Sequence, residues 1–183
     1  MKPQCLNAED CLFVVIDLQE KLLPAMCEEN LVLNEALRLL RSAETLNIPV
    51  LATEQYPAGL GATVAPLSRF LSQEKTFPKT TFSCWGASGF EETVAAESRR
   101  QAVIFGVESH ICVMATALEF LRRDFVTVVA EEACSSRKRR HHGLAMDNLL
   151  AAGAAVLPTE SIVYQLLGKA GTPQFKALLP LFK

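Results

Sequence analysis

Nucleophilic catalysis could be carried out in this chain by a cysteine, an aspartate and a lysine: Cys112, Asp17 and Lys79. A thiolate is a strong nucleophile, a carboxylate can serve as a base, and a lysine can stabilise negative charge. These residues are far apart in the sequence. They can act on one substrate only if the fold brings them together, so the elements that carry them decide the hypothesis.

Cys112 follows a segment whose pattern changes from strand to helix. Residues 101–105 (QAVIF) are short, apolar and rich in β-branched and aromatic side chains, which predicts a buried strand ending in a turn at Gly106. Apolar residues then recur at helical spacing from Ile111 onward. Cys112 is thus predicted in the first helical turn, where free N–H groups and the helix dipole favour an anion. We expect its pKa to lie below the reference of about 8.5. The alternative is a buried structural cysteine, which is common.

Asp17 ends the near-continuous apolar run of residues 11–17 (CLFVVID), which is typical of a strand buried on both faces. It is therefore predicted at the carboxyl end of a strand, the edge at which open α/β sheets bind ligands. The alternative is a residue that only caps a turn. Lys79 lies among small and apolar residues in the segment 75–86, for which we predict an extended piece and a loop. Most lysines are solvated, so Lys79 gains significance only beside the other two.

The remaining pattern alternates between strand and helix. Strands are predicted at residues 50–53, 125–130 and 154–157, and helices at 30–46, 67–71, 88–98, 135–152, 159–167 and 173–179. This alternation predicts an α/β fold, a Rossmann-like three-layer sandwich with a central, mainly parallel sheet and helices on both faces. Residues 1–183 are expected to form a single domain. The first and third strands would then end at one crevice, with Lys79 arriving on a loop.

Composition excludes several classes of protein. The chain has 183 residues, 50% hydrophobic and 21% charged, with a net charge of −2, so it has no general attraction to nucleic acid or acidic lipid. No apolar run approaches 18 residues, so no membrane span is expected. The six cysteines form no C-x-x-C pair, and residues 1–7 lack the apolar core of a signal peptide. We therefore expect reduced thiols and a cytoplasmic location.

Three separated motifs together resemble the isochorismatase-like cysteine hydrolases, which include nicotinamidases and carbamoylases. They are residues 14–19 (VVIDLQ), Lys79 with residues 82–85 (FSCW), and residues 106–112 (GVESHIC). The likeness covers nearly the whole chain and is closest to the metal-free, isochorismatase-domain branch of unknown substrate. It implies a catalytic triad of Asp17, Lys79 and Cys112. It also implies a cis peptide between Val107 and Glu108, with the N–H groups of Glu108 and Cys112 forming an oxyanion hole.

The resemblance implies a mechanism as well. Asp17 takes the thiol proton, and sulfur attacks the carbonyl of a small amide-like substrate. The C–N bond breaks, and water hydrolyses the resulting thioester. Isochorismatase itself lacks the nucleophilic cysteine, so Cys112 groups this chain with amide-cleaving members. The resemblance also implies a homo-oligomer.

One departure from the family concerns metal. Nicotinamidases carry an Asp-x-His pair and a further histidine after the second strand, whereas residues 54–57 here read EQYP. The histidines at positions 110, 141 and 142 lack metal-ligand spacing. No metal and no cofactor are therefore expected, and nicotinamide becomes a doubtful substrate.

Side chains near the motifs are candidates for lining the substrate pocket. They are Gln19, Gln55, Tyr56, Phe82, Trp85 and His110. Two rival hypotheses stay open. The basic run at residues 137–142 (RKRRHH) could mark a nucleic-acid-binding protein or nuclease, although such runs more often form a solvated helix face. The chain could also be an inactive scaffold of the same fold.

Overall fold

A six-stranded, fully parallel sheet forms the centre of the protein, which we describe from a computed structural model over residues 5–183. The strands are β1 (Cys11–Ile16), β2 (Val50–Gln55), β3 (Thr76–Lys79), β4 (Gln101–Val107), β5 (Val126–Ser135) and β6 (Ala155–Leu157). Their order across the sheet is β3-β2-β1-β4-β5-β6, and every pairing is parallel. The predicted α/β class is confirmed. Most of the amino-terminal segment in which no export signal was expected lies outside the described residues.

Helices cover the sheet on both faces. They are α1 (Glu29–Leu46), α2 (Pro57–Leu60), α3 (Ala65–Ser68), α4 (Phe90–Glu97), α5 (Met114–Arg122), α6 (Arg139–Ala152), α7 (Thr159–Leu167) and α8 (Pro173–Leu178). Helix α1 packs with α7 and α8, whereas α5 packs with α6. Right-handed crossovers that leave β1 and β4 in opposite directions put α1 and α5 on opposite faces. In the part of the chain that the structure describes, none of the helices has the length and apolarity needed to cross a membrane.

The two central strands form the core and fix the geometry of the carboxyl edge. Strands β1 and β4 are buried along their whole length and pair in register from Cys11 with Gln101 to Ile16 with Gly106. Phe13 and Phe105 meet edge to face across this pair, with ring centroids 6.1 Å apart. This register brings Asp17, the residue after β1, next to the end of β4. The ends of β1 and β4 therefore lie side by side at the carboxyl edge, as predicted.

Gly106 is not a turn, as the sequence predicted, but a member of β4 at a shift of register between β4 and β5. Its φ is +130°, and a Cβ at this position would lie 2.0 Å from the carbonyl oxygen of Ile16. Only glycine fits so close to the neighbouring strand. The turn comes later, after Val107.

Three further boundaries differ from prediction. Lys79 does not arrive on a loop; it ends the edge strand β3, where it pairs with Gln55 of β2. Pro78 is compatible with this strand because β3 has a free edge and needs no donor on that side. Strand β5 continues to Ser135 rather than ending at 130, because it resumes pairing with β4 beyond the register shift. Helix α6 consequently begins at Arg139 instead of residue 135.

Candidate active site

The carboxyl edge of the sheet brings the three proposed catalytic residues together. Asp17 follows β1, Lys79 ends β3, and Cys112 lies on the turn after β4. That turn, Ser109–Val113, is a single π-helical turn that leads into α5, so Cys112 precedes the regular helix in which it was predicted. Such turns are frequent at functional sites. We call residues 108–113 the cysteine turn.

Lys79 lies between the other two members of the group. Its Nζ is 2.7 Å from Oδ2 of Asp17 and 3.5 Å from Sγ of Cys112. All three residues are buried, with exposed fractions of 0% for Asp17, 4% for Lys79 and 6% for Cys112. The ammonium also donates to Oε1 of Gln55 at 2.5 Å and to the carbonyl of Thr81 at 3.3 Å. The cation is thus fixed by four partners and can hold a carboxylate and a developing thiolate at once.

The second carboxylate oxygen of Asp17 is held by a chain of hydrogen bonds that sequence reasoning did not single out. Thr53 donates its hydroxyl to Oδ1 of Asp17 at 2.8 Å and lies 3.6 Å from Sγ of Cys84. The Thr116 hydroxyl donates to the same sulfur at 3.2 Å and accepts from the Cys84 N–H at 3.0 Å. Since the Thr53 proton is committed to Asp17, the Cys84 thiol is the donor to Thr53. The bonds therefore run in one direction, from Thr116 through Cys84 and Thr53 to Asp17.

This chain connects the two ends of the site. Thr116 lies four residues after Cys112, one helical turn along, so the helix that follows the thiol is bonded to the carboxylate. Burial raises the pKa of Cys84 to about 11, which keeps its S–H proton available for donation at neutral pH. Nothing in the sequence distinguishes Thr53 and Thr116 from ordinary buried threonines.

The thiol of Cys112 does not have the lowered pKa that we predicted. Burial, and after it the negative charge of Asp17, raises the pKa of Cys112 to about 12, although Lys79 acts in the opposite direction. The prediction was wrong because it counted the helix start and the cation but neither desolvation nor the neighbouring carboxylate. The resting group is a neutral thiol.

Lys79, in contrast, stays charged. Burial lowers the pKa of its ammonium, but the negative charge of Asp17 and the hydrogen bond that Asp17 accepts from Nζ act in the opposite direction, and the pKa is raised overall. The site therefore contains a permanent cation, a carboxylate and a protonated thiol. In such a group the carboxylate can accept the thiol proton at the moment of attack, so no thiolate has to be present beforehand.

The peptide bond between Val107 and Glu108 is cis, as the resemblance implied. Glu108 itself is buried, and its carboxylate accepts from the side chain and from the backbone N–H of Arg137. Its side chain is thus turned toward the start of α6 and does not take part in the Asp17, Lys79 and Cys112 group.

Two of the candidate pocket residues, Gln19 and Gln55, form the wall beside Lys79. The Gln19 side chain is fully buried; it donates to the carbonyls of Gln55 and Gly61 and accepts from the Gln55 N–H at 2.7 Å. It therefore fixes Gln55, whose own Oε1 accepts from Lys79 and lies 4.0 Å from Sγ of Cys112. Gln55 touches the reactive group directly, whereas Gln19 acts through it.

Tyr56 and Phe82 flank Lys79 at the surface. Their exposed fractions are 58% and 60%, and the Tyr56 N–H donates to the Lys79 carbonyl. His110 is held by Ser136, with 2.9 Å between Nδ1 and Oγ. It lines an apolar cavity of about 280 Å³ with Met114, between the cysteine turn and α6.

Trp85 lies elsewhere. Its ring packs against Phe90, Phe120 and Phe125, and Arg123 stacks on it at 4.1 Å. It lines a cavity with residues at the amino ends of β4 and β5, the edge opposite to Cys112. The expectation that Trp85 lines the substrate pocket is not supported, because Trp85 packs against the aromatic cluster of Phe90, Phe120 and Phe125.

No residues suited to a metal were found in the range 5–183, where no three histidine, cysteine or acidic side chains converge. Glu54, which stands where nicotinamidases have a ligand, accepts from the N–H and the hydroxyl of Thr63 at 2.7 and 2.9 Å. His142 is bonded to Ser109 and Glu131. These donors are committed to the protein itself.

Comparison with known proteins identifies the family of this chain. A family profile described as "Isochorismatase domain" matches residues 11–161. Isochorismatase domain-containing protein 1 of Salmo salar is 35% identical over 172 residues, which cover 94% of this chain and 60% of that protein. Isochorismatase domain-containing protein 2A of Mus musculus is 34% identical over 176 residues, or 96% of this chain and 84% of the relative.

A solved structure is also similar to this chain along nearly its whole length. The structure described as "MAR1 Ribonuclease from Caenorhabditis elegans" superposes with a TM-score of 0.91 at 31% identity, covering 98% of this chain and 92% of that one. The chain spans about 60% of the length of the salmon relative, so it corresponds to the domain that these proteins share. With the profile matching most of its length and the relatives above 30% identity, the chain belongs to the isochorismatase domain family and has the hydrolase fold of that family.

Proposed function

We propose that this protein is a cysteine hydrolase that cleaves the C–N bond of a small, amide-like molecule, with Cys112 as nucleophile, Asp17 as base and Lys79 as the stabilising cation. One observation carries the proposal: Nζ of Lys79 contacts both Oδ2 of Asp17 and Sγ of Cys112, and all three are buried at the ligand-binding edge of the sheet. Groups in mutual contact at a sheet edge are the arrangement that nucleophilic catalysis needs.

The first step is a proton transfer coupled to attack. Because the pKa of Cys112 is raised to about 12, the thiol keeps its proton until a substrate carbonyl arrives. Sulfur then bonds to the carbonyl carbon as its proton passes to Asp17, and the C=O π electrons move onto oxygen. Once Asp17 is protonated it is neutral, so the Lys79 ammonium balances the negative charge on the oxyanion.

The second half completes the hydrolysis. The oxyanion accepts hydrogen bonds from the backbone N–H groups of Glu108 and Cys112, as in the proteins that the motifs resemble. When the oxyanion collapses, the C–N bond breaks and Asp17 returns its proton to the leaving amine. Water, deprotonated by Asp17, then attacks the thioester and releases a carboxylic acid and the neutral thiol.

The test is ammonia release from a set of small primary amides, with the acyl-enzyme trapped and weighed by mass spectrometry. The wild type and Cys5→Ser, a change at an exposed cysteine, should both turn over and form an adduct at Cys112. Cys112→Ser should fold normally and lose turnover by about 10³-fold or more. Retained hydrolysis in Cys112→Ala would refute the nucleophile assignment.

The inactive scaffold is distinguished by the same set. A scaffold would give neither ammonia nor an adduct with any amide. The hydrolase is supported when a substrate analogue with an electrophilic carbonyl reacts at Cys112 alone.

RNA cleavage is a second candidate, because the nematode protein at 31% identity is described as a ribonuclease. The charges near the site do not favour it. Arg137 and Arg139 of the basic run are paired with Glu108 and Glu28, and Lys79 is buried against Asp17. Incubation with single-stranded RNA at physiological salt, comparing the wild type with Cys112→Ser, tests it. Cleavage that depends on Cys112 would favour this candidate over amide hydrolysis.

A further inference from the structure

Three consecutive residues of the cysteine turn are each fastened to the segment 136–142, which contains the basic run. Glu108 is bonded to Arg137, Ser109 to His142 and His110 to Ser136. These are the residues directly before Ile111 and Cys112. The basic run thus has contacts with the site that the proposed mechanism does not use.

The first fastening is an ion pair with a backbone bond added. The Glu108 carboxylate, whose side chain is 7% exposed, accepts from Nε of Arg137 at 3.1 Å and from the Arg137 N–H at 3.1 Å. A desolvated carboxylate needs such partners to stay ionised in place. The bond to the backbone fixes Glu108 to the chain as well as to a side chain.

The second fastening passes through a histidine. Nδ1 of His142 lies 2.8 Å from the Ser109 hydroxyl, and Nε2 lies 3.0 Å from Oε1 of Glu131. Because the ionised carboxylate only accepts, Nε2 carries a proton, and in the neutral ring Nδ1 accepts from Ser109. Ser109 is fully buried and unavailable to a substrate, so this chain holds the turn and does not add a nucleophile.

The rest of the run gives a natural comparison. Within residues 5–183, the side chains of Lys138 and Arg140 form no ion pair or hydrogen bond, although they carry the same charge as Arg137 and adjoin it. The third fastening, between His110 and Ser136, lies beside the ring of His141, whose centroid is 4.7 Å from that of His110.

We propose that Arg137, His142 and Ser136 are positioning residues that hold the cysteine turn, and through it the Cys112 thiol, in its reactive place. The basic run therefore serves the active site from behind and is not a surface for nucleic acid. The expected effect of these three residues on turnover rests on the proposed function, but their effect on the order of the cysteine turn does not. The order of the turn can be measured without a substrate.

The experiment compares Arg137→Gln and His142→Ala with Arg140→Gln, which removes the same charge from the same run without breaking a fastening. Hydrogen exchange of the amides at residues 109–113 should become about tenfold faster in the first two variants and stay within about twofold in Arg140→Gln. His142→Gln keeps a donor and an acceptor and should restore most of the protection. Thermal melts identify any variant that fails to fold; if His142→Ala does so, Arg137→Gln carries the test.

The kcat and KM of the variants distinguish a positioning role from a contribution to stability alone. On an amide that the wild type cleaves, Arg137→Gln and His142→Ala should lower kcat about tenfold with KM nearly unchanged, and His142→Gln should recover it. Unchanged exchange at 109–113 in both disruptive variants would overturn the proposal, even if no substrate is ever found. So would RNA binding at physiological salt that is lost in Arg140→Gln. If exchange accelerates but no amide is cleaved, the positioning role stands and the proposed function fails.

Discussion

Lys79 and Asp17 form an ion pair with 2.7 Å between Nζ and Oδ2, and neither side chain is exposed to solvent. The two residues are 62 positions apart, so only the sheet brings them together. Removing two charges from water is costly, and such a pair persists only where further hydrogen bonds satisfy both groups. Gln55 and Thr81 supply them to the ammonium, and Thr53 supplies one to the carboxylate.

Breaking this pair on one side should destabilise the protein strongly. Lys79→Met leaves a buried carboxylate without its cation and should lower the free energy of unfolding by about 3–5 kcal/mol. The double variant Asp17→Asn/Lys79→Met removes both charges and should recover much of that loss. Urea denaturation measures all three proteins. Arg122→Ala is the control, because its pair with Glu119 is largely exposed and should contribute under about 1 kcal/mol. Equal losses of unfolding free energy in Lys79→Met and Arg122→Ala would contradict the prediction.

Alkylation of Cys112 should report a thiol that resists ionisation. Since burial and the Asp17 charge raise its pKa to about 12, the thiolate fraction should increase about tenfold per pH unit from pH 7 to pH 10. The measurement is the rate of carboxamidomethylation at Cys112, resolved by peptide mass. A small free thiol with a pKa of about 8.5 is the comparison and should level off within this range. A plateau near neutral pH at Cys112 would show that the thiolate is already formed.

Asp17→Asn should separate reactivity from catalysis. Removing the negative charge that raises the pKa of Cys112 should lower that pKa, so alkylation at pH 8 becomes faster than in the wild type. Turnover should nevertheless fall by about 10² to 10⁴-fold, because the base is gone. Asparagine tolerates the positive φ of 53° at this position, so the backbone need not move. Slower alkylation together with normal turnover would mean that Asp17 is not the base.

The sequence predicts the fold where local pattern and chain order suffice, whereas the grouping of Asp17, Lys79 and Cys112 came from the family resemblance. The near-continuous apolar run before Asp17 is short and rich in β-branched residues, which favours a strand buried on both faces, and parallel strands align their carboxyl ends. Lys79 was misplaced onto a loop because a four-residue edge strand containing Pro78 has little local signal. The register with Gln55 that defines this strand involves a residue 24 positions away.

Other features depend on tertiary surroundings that no local pattern encodes. The pKa of Cys112 follows from its burial and from Asp17, so the helix-start pattern alone gave the wrong direction. Trp85 is placed by Phe90, Phe120 and Phe125, and sequence spacing cannot say which aromatic residues will share a cluster.

Hydrolysis should not require a metal ion. Glu54 has its carboxylate occupied by Thr63, and no histidine follows the second strand before position 110. Treatment with a chelator followed by gel filtration should leave turnover within about twofold of the untreated protein. Metal analysis of the same sample should give well below one zinc per chain. Stoichiometric zinc whose removal abolishes activity and whose return restores it would contradict this.

The hydrogen-bond chain from Thr116 through Cys84 and Thr53 to Asp17 gives a prediction about its two threonines, for which no hydrogen bond to the Cys112 thiol is seen. Thr53→Val keeps the shape of the side chain but removes the donor to Oδ1 of Asp17, so the carboxylate is held by Lys79 alone. Its orientation toward the thiol should loosen, and kcat should fall about tenfold while KM changes little. Thr53→Ser retains the hydroxyl and should stay close to the wild type. Thr116→Val, which breaks the chain two bonds further away, should have a smaller effect in the same direction.

Rescue by the conservative variant distinguishes this chain from packing alone. Thr53→Val should lower kcat about tenfold with KM nearly unchanged, and Thr53→Ser should recover the wild-type value because it returns the donor to Oδ1 of Asp17. Thermal melts of both variants provide the control for stability. If Thr53→Val lowers the melting temperature but leaves kcat unchanged, Thr53 is a packing residue and Asp17 is oriented by Lys79 alone.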